Sequence, residues 1–300
     1  MYNPARVKTM GEDQKHMQCM EVWGGNRVTD SGVIMPGVDA WIYSQPCAEE
    51  CEGGDVHYVS TCAAGRVVRM LVADVSGHGS PVANAAEKLR HLMRRYINNS
   101  NQLGLVRSLN REFTVASTGG MFATAVVMTF NSTGNRLLVS NAGHPPPLWY
   151  QVAKGRWTFL RPGTADEGQN YPWGIEEMAE YGTFDIKLRV GDIVLAYTDS
   201  LTEARNRDGS LVGEEGLLEI VQRIDAREPQ SLVTKLLADL AARDPGNLTR
   251  DDVTCLMFRP YGLRARVPLR DFLLAPVRVV ADWGGMRIGW SGSKAATAQA

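Results

Sequence analysis

The apolar segments of this chain are short, rich in β-branched and aromatic residues, and separated by turn-forming links. From them we predict strands at residues 57–62, 66–73, 121–130, 136–140, 192–198 and 253–258. The links A-A-G at 63–65 and N-S-T-G-N at 131–135 are short, which favours antiparallel pairing. The sequence therefore predicts a mostly antiparallel sheet.

Apolar residues recur at helical spacing in three further segments. In the clearest of them Val82, Leu89 and Met93 fall on one face. We predict helices at residues 82–97, 103–116 and 231–242. Because strands and helices alternate in groups and not one by one, the predicted fold class is α+β with layered elements.

The composition is that of a folded chain with a substantial core: 300 residues, 44% hydrophobic and 22% charged. A formal net charge of -1 gives no overall attraction to nucleic acid or to an anionic membrane, and we expect neither as a partner. No apolar run approaches the roughly 18 residues of a membrane-spanning helix. The N-terminal segment is too polar for a signal peptide, so we expect a cytoplasmic protein.

The five cysteines do not form a recognisable metal or disulfide pattern. They are Cys19, Cys47, Cys51, Cys62 and Cys255. Their number is odd, and Cys47 and Cys51 have no second close pair to complete a zinc site. We expect buried or incidental thiols.

Residues 71–79, L-V-A-D-V-S-G-H-G, form an apolar strand that ends in an aspartate and a glycine-rich loop. Such loops before a helix often bind phosphate. This one is no Walker loop, because no lysine follows Gly77 or Gly79, and Val82 occupies the last glycine position of the dinucleotide pattern. The feature that remains is Asp74.

Further aspartates stand at strand edges, namely Asp55 in G-G-D, Asp199 in Y-T-D-S, and Asp251 and Asp252 in R-D-D-V-T. Each alone has a structural explanation. Asp55 and the 251–252 pair fit turns. Asp199 fits a helix start, although Ser200 and Glu203 already match a capping box there.

Taken together, these carboxylates favour a metal site. If four of them meet at one end of a sheet, they do not stay ionised without cations between them. Ligand sets made only of oxygen select hard divalent ions such as Mg²⁺ or Mn²⁺. The glycines near Asp55 and Asp74 leave room for main-chain carbonyls and metal-bound waters.

These motifs resemble those of the metal-dependent protein phosphatase (PPM) family, in its sporulation stage II E-like branch. The matching stretches are Q-P-C-A-E-E-C-E-G-G-D, L-V-A-D-V-S-G-H-G, M-F-A-T-A-V-V, N-A-G-H-P-P-P-L, G-D-I-V-L-A-Y-T-D-S-L-T-E-A and D-D-V-T. They follow the family's order and cover roughly residues 40 to 259.

The resemblance implies a four-layer αββα sandwich, with two central antiparallel sheets and a binuclear metal site at one edge. We expect this domain at residues 41–260. Residues 1–40 are then a partly ordered arm that edges the sheet. We expect strands at 19–25 and 38–44 that extend or edge the sheet. Residues 261–300 form an extension, and we expect 285–300 to be mostly disordered.

The resemblance also assigns roles to individual residues. The implied metal ligands are Asp55, Asp74, the carbonyl of Val75, Asp199 and Asp251. Asp74 bridges both ions, and Asp252 is the less favoured ligand because the family's position is the first of the pair. His78 is the candidate acid for the leaving oxygen, or else it only hydrogen-bonds a metal-bound water or shapes the turn. His144 lies near the site or has a structural role.

The implied reaction is hydrolysis of phosphoserine or phosphothreonine by direct attack of a metal-bound hydroxide, with two Mn²⁺ or Mg²⁺ ions as cofactors. Two departures from the family pattern concern the first acidic motif. No phosphate-binding arginine precedes it, and Tyr58 stands where relatives often have an aspartate.

The resemblance implies that the substrate is a phosphorylated regulatory protein, such as an anti-sigma antagonist, and it leaves a homodimer open. The alternative is a catalytically inactive module of the same fold that binds a phosphoprotein or regulator. Activity is favoured, because all four matched aspartates are present.

Overall fold

A computed structural model describes residues 14–17, 22–47, 52–62, 66–77, 80–96, 101–116, 120–163 and 171–262. The strands are β1 (Gln14–His16), β2 (Val22–Gly25), β3 (Thr29–Met35), β4 (Val38–Gln45), β5 (Val56–Cys62), β6 (Val67–Val75), β7 (Ala123–Asn131), β8 (Arg136–Ala142), β9 (Leu148–Gln151), β10 (Arg156–Phe159), β11 (Phe184–Lys187), β12 (Ile193–Tyr197) and β13 (Val253–Pro260). The helices are α1 (Ser80–Tyr96), α2 (Gln102–Ala116), α3 (Gly213–Arg223) and α4 (Pro229–Arg243).

The strands form two sheets. The seven-stranded sheet has the order β1-β3-β4-β13-β12-β9-β10, and the six-stranded sheet has the order β11-β8-β7-β6-β5-β2. Neighbouring strands pair antiparallel except for β1 and β3, which are parallel. The predicted antiparallel architecture is therefore confirmed.

A buried apolar layer joins the two sheets face to face. Alternate residues of each strand point into it, as the twofold repeat of a β-strand requires. Met70 and Val72 of β6 enter this layer from the six-stranded sheet, and Leu256 and Phe258 of β13 enter it from the other. This layer fixes which side chains at the strand ends point between the sheets.

Helices cover the outer face of each sheet. Leu89 of α1 and Phe113 of α2 pack with Tyr58 on the six-stranded sheet. Leu217 of α3 and Leu236 of α4 pack on the seven-stranded sheet. The four layers of the predicted αββα sandwich are confirmed.

The predicted helices lie within two residues of α1, α2 and α4 at each end. Helix α3 was not predicted. The predicted strand at 38–44 is β4, which lies between β3 and β13 inside the seven-stranded sheet, whereas β2 does edge the six-stranded sheet. None of the described helices is long and apolar enough to cross a bilayer.

Some predictions fall on residues outside the described part of the chain. Among these are Cys19, Cys51 and the tail at 285–300. Of the cysteines whose side chains are described, Cys255 is a buried thiol and Cys47 is partly buried. The domain boundaries at residues 40 and 260 stay predictions.

We predict that Phe130→Ala lowers the free energy of unfolding by about 3–5 kcal/mol, because Phe130 is fully buried between the sheets and its loss leaves a cavity. The control is Val115→Ala on the exposed face of α2, with an expected change within about 0.5 kcal/mol. Urea unfolding measures both. Equal effects would contradict the assigned inter-sheet core.

Candidate metal centre

Antiparallel pairing brings the predicted acidic residues to one edge of the sandwich. Asp55 immediately precedes β5, and Asp74 is the last residue but one of β6, its neighbour. Asp199 follows β12 by two residues, and Asp251 precedes the neighbouring β13 by two. Because the start of one strand lies beside the end of its partner, each sheet contributes two of these aspartates to the edge.

A hydrogen bond between the sheets closes this edge. The hydroxyl of Thr198, just after β12, donates to Oδ2 of Asp55 at 2.8 Å. The Thr198 hydroxyl also accepts a bond from the main-chain N–H of Thr254 at 3.0 Å. The side chain of Asp55 is thus held against the opposite sheet, where it is only 3% exposed.

The carboxylates of this edge repel one another. Burial raises the pKa of Asp74 to about 7, and the nearby charges of Asp199, Asp251, Asp252 and Glu203 contribute to the rise. The pKa values of three of the other aspartates are also raised, each chiefly by burial: Asp55, Asp199 and Asp251. The charge of Asp74 is the second largest cause of the raised pKa of Asp55. The edge therefore favours protons or cations.

The chemistry of these donors fits a hard divalent ion, because the side chains that repel one another are all carboxylates. Among the described residues, however, no group of three or more His, Cys, Asp or Glu side chains is placed to hold a metal ion together. The carboxylates interact electrostatically without gathering around a single point. The assignment of individual ligands therefore stays a prediction.

The two aspartates at 251 and 252 have different surroundings. The residue Asp251 is exposed as a whole, although neighbouring groups partly bury its carboxylate, and this carboxylate accepts a bond from the main-chain N–H of Asp252 at 2.8 Å. Asp252 is partly buried, and its carboxylate accepts main-chain bonds from Cys47, Gly54 and Asp55. Asp251 is thus the more accessible of the two, as the preferred ligand should be.

The glycines before Asp55 serve close packing. A Cβ built on Gly53 would lie 2.6 Å from the carboxylate carbon of Asp252. A Cβ on Gly54 would lie 2.9 Å from the carbonyl oxygen of Val75. Both distances are shorter than packed atoms tolerate. At Gly54 the contact is with a main-chain atom, so glycine is required there, whereas at Gly53 an added Cβ would displace the end of the Asp252 side chain.

Of the two histidines predicted to lie near the site, the structure describes one. His78 lies outside the described residues. His144 is buried, and its Nδ1 lies 2.8 Å from Oγ1 of Thr124, which pairs with Asp74 in the sheet. Asn141 bonds both the main-chain N–H and the carbonyl of His144 at 2.8 Å. Burial lowers the pKa of His144 to about 3, so the ring is neutral and holds the strand beside Asp74.

Two residues of β5 that follow Asp55, His57 and Tyr58, have different surroundings. His57, which was not predicted, is buried two residues after Asp55, and burial lowers its pKa to about 4. Tyr58 packs in the layer beneath α1, on the opposite face of the sheet. Its phenol therefore does not replace the missing aspartate at the acidic edge.

The capping box predicted at Ser200 and Glu203 is wrong. A short 3-10 helix begins at Asp199, and Thr198 is its N-cap without a side-chain capping bond. Ser200 is inside this helix and is buried. Glu203 instead adds negative charge near Asp74 and Asp199, a contribution that was not predicted from the sequence.

Two facing antiparallel sheets, helices on both outer faces and an acidic edge define a sandwich of the PP2C type. The solved PP2C phosphatase domain of SpoIIE from Bacillus subtilis, with a fragment of its regulatory domain, has a TM-score of 0.62 at 13% identity, covering 81% of this chain and 64% of that chain. The solved RsbU and RsbW domains of Rv1364c from Mycobacterium tuberculosis have a TM-score of 0.66 at 25% identity, covering 79% of this chain and 63% of that chain.

Sequence comparison supplies the family. The sequence model of stage II sporulation protein E (SpoIIE) matches residues 64–261, and the chain belongs to this family. The phosphoserine phosphatase RsbU of Bacillus subtilis (strain 168) is 23% identical over 213 residues, which are 71% of this chain and 60% of that protein. The chain thus spans about three fifths of the length of these relatives.

We predict that the buried histidines make the fold sensitive to acid. The folded-state pKa values of His57 and His144 lie below the ordinary value of 6.5, so the unfolded chain binds more protons once the pH falls below about 6.5. Each histidine then lowers the free energy of unfolding by up to about 1.4 kcal/mol per pH unit.

Urea unfolding between pH 7.5 and 5 measures this slope. The raised pKa of Asp74 acts in the opposite direction, so the slopes of variants are compared with that of the wild type. His57→Gln and His144→Gln should each reduce the acid-induced loss, whereas His91→Gln on the exposed face of α1 should not. Unchanged slopes in the first two variants would disprove the assignment.

We predict that Asp74→Asn raises the melting temperature of the protein in EDTA at pH 8. The folded-state pKa of Asp74 lies above its ordinary value of 3.8, so this charge costs stability as the pH rises from about 4 through about 7. The gain should be largest above pH 7 and should vanish near pH 4. Differential scanning fluorimetry measures it, with the exposed Glu177→Gln as the control. A lower melting temperature for Asp74→Asn at pH 8 would refute the repulsion.

Proposed function

We propose that this chain is a serine/threonine protein phosphatase that depends on Mn²⁺ or Mg²⁺. The observation that carries the proposal is the acidic edge between the two sheets, where burial and mutual repulsion raise the pKa values of Asp55 and Asp74. Membership of the SpoIIE family and similarity to a phosphoserine phosphatase support the same function.

The proposed metal ligands are the side chains of Asp55, Asp74, Asp199 and Asp251, with the carbonyl of Val75. When bound, two divalent ions neutralise these carboxylates and activate a water molecule for attack on phosphorus. Four carboxylates balance about four positive charges, so that a phosphate dianion enters without net repulsion.

The described residues of the chain hold this arrangement in place. Thr198 fixes the orientation of Asp55 by donating to its Oδ2. His144 holds Thr124, the neighbour of Asp74 in the adjacent strand. In this proposal His78, which lies outside the described residues, donates a proton to the leaving serine or threonine oxygen, because the reference pKa of histidine near 6.5 suits proton exchange at neutral pH.

The proposed substrate is a phosphorylated regulatory protein, for example an anti-sigma antagonist. The Bacillus relative is a phosphoserine phosphatase, which supports a phosphoserine substrate. A cytoplasmic location and a homodimer stay predictions. The alternative function is a catalytically inactive module of the same fold that binds a phosphoprotein or regulator.

Hydrolysis of a phosphoserine peptide with Mn²⁺, with Mg²⁺ and with EDTA tests the proposal. We expect turnover only with a divalent ion, and a loss of about 100-fold or more in Asp74→Asn, because that change removes the central carboxylate. Glu177→Gln changes an exposed carboxylate that is not a proposed ligand, so this variant should retain wild-type turnover.

Turnover in EDTA, or unchanged turnover in Asp74→Asn, would contradict the proposed function. If the wild type is inert with both ions and still binds a phosphoprotein, the alternative replaces it.

A further inference from the structure

The geometry points to Asp252 as a positioning residue. We infer that its carboxylate holds the loop of Asp55 through main-chain hydrogen bonds, and that its own main chain orients Asp251. The consequence for catalysis rests on the proposed function. The hydrogen bonds by which Asp252 holds the loop of Asp55 do not depend on the proposed function.

Three main-chain N–H groups converge on the Asp252 carboxylate. Cys47 donates to Oδ1 at 2.6 Å, and Asp55 donates to Oδ2 at 3.2 Å. Gly54 also donates to Oδ2. A carboxylate offers about four acceptor positions, so these donors occupy most of its capacity. Bonds to an ionised acceptor are roughly twice as strong as neutral ones.

The same loop is held from its other side. The main-chain N–H of Gly53 donates to the carbonyl of Asn26 at 2.9 Å, and Nδ2 of Asn26 donates to the carbonyl of Gly53 at 3.1 Å. Asn26 is 3% exposed. The residues leading into Asp55 therefore have little freedom to move on either side.

The position of Gly53 explains why the loop and the second aspartate belong together. The Asp252 carboxylate occupies the space that a side chain at residue 53 would need, since the Cβ would lie 2.6 Å from its carboxylate carbon. The G-G-D motif and the second aspartate of R-D-D-V-T thus form one packed unit, although 197 residues separate Asp55 from Asp252.

This unit joins both sheets at the acidic edge. Cys47 follows β4 and Asp252 precedes β13, both in the seven-stranded sheet, whereas Asp55 precedes β5 in the six-stranded sheet. The main-chain N–H of Asp252 also donates to Oδ1 of Asp251 at 2.8 Å. Asp252 therefore controls the positions of two proposed ligands without being one.

The first test is hydrogen exchange in the metal-free protein. Asp252→Asn replaces one of the two acceptor oxygens with an NH₂ donor, so the amide of Cys47, or those of Gly54 and Asp55, should exchange faster than in the wild type. Asp251→Asn, the matched control, should leave them protected. If the two variants give the same protection at these amides, the positioning role is overturned.

The second test is calorimetric titration of the metal-free protein with Mn²⁺. Asp252→Asn should weaken Mn²⁺ binding by about 10- to 100-fold without changing the number of ions bound, as expected for a group that orients ligands. Asp251→Asn should lose an ion. Loss of an ion in Asp252→Asn would show that Asp252 is a ligand and would overturn the inference.

A second variant keeps the inference testable if Asp252→Asn does not fold. Gly53→Ala changes neither aspartate in the sequence. Its added Cβ would push the Asp252 carboxylate out of its present position. It should reproduce the faster exchange and the weaker Mn²⁺ binding, and wild-type behaviour in both measurements would overturn the inference. If the wild-type protein itself binds no Mn²⁺, the proposed function fails, and the exchange experiment still decides the role of Asp252.

Discussion

Carboxylates held close together repel one another, and the structure around the acidic edge opposes that repulsion. Burial and neighbouring charges raise the pKa of Asp74 to about 7, because the ionised form is unfavourable at this edge. The apolar layer between the sheets supplies stability, and directed bonds supply position. Thr198 holds Asp55 across the sheets, and three main-chain N–H groups hold Asp252. The site is thus a strained cluster of charges on a stable scaffold.

The sequence predicted the fold where local pattern and tertiary packing agree. Strands β6 and β13 are long and apolar, and α1 has a clear buried face, so each was predicted nearly to its ends. Helix α3 was missed, although Leu217, Ile220 and Val221 have helical spacing, because glycines at 213 and 216 weaken the local signal. Strand β3 was also not predicted, because Asp30, Ser31 and Gly32 are poor strand formers and interrupt its apolar pattern.

The candidate site could be predicted only in part. An aspartate at the end of an apolar strand is visible in a sequence, so Asp55, Asp74, Asp199 and Asp251 could be found. Which aspartate of a pair accepts main-chain bonds depends on partners about 200 residues away, and no local pattern records it. The role of Glu203 was predicted wrongly for another reason. A capping motif has the same residues whether or not a regular helix follows it.

The position of β13 has a consequence for how the protein is made. This strand is the last one described, yet it lies between β4 and β12 in the middle of its sheet. During synthesis the ribosome releases the earlier strands first, and their sheet keeps a gap until residues 253–260 emerge. Asp251 and Asp252 arrive with the same segment, so the acidic edge gains these two aspartates only as the central gap of the sheet closes. An incomplete chain that ends before this segment has neither a complete sheet nor a complete acidic edge.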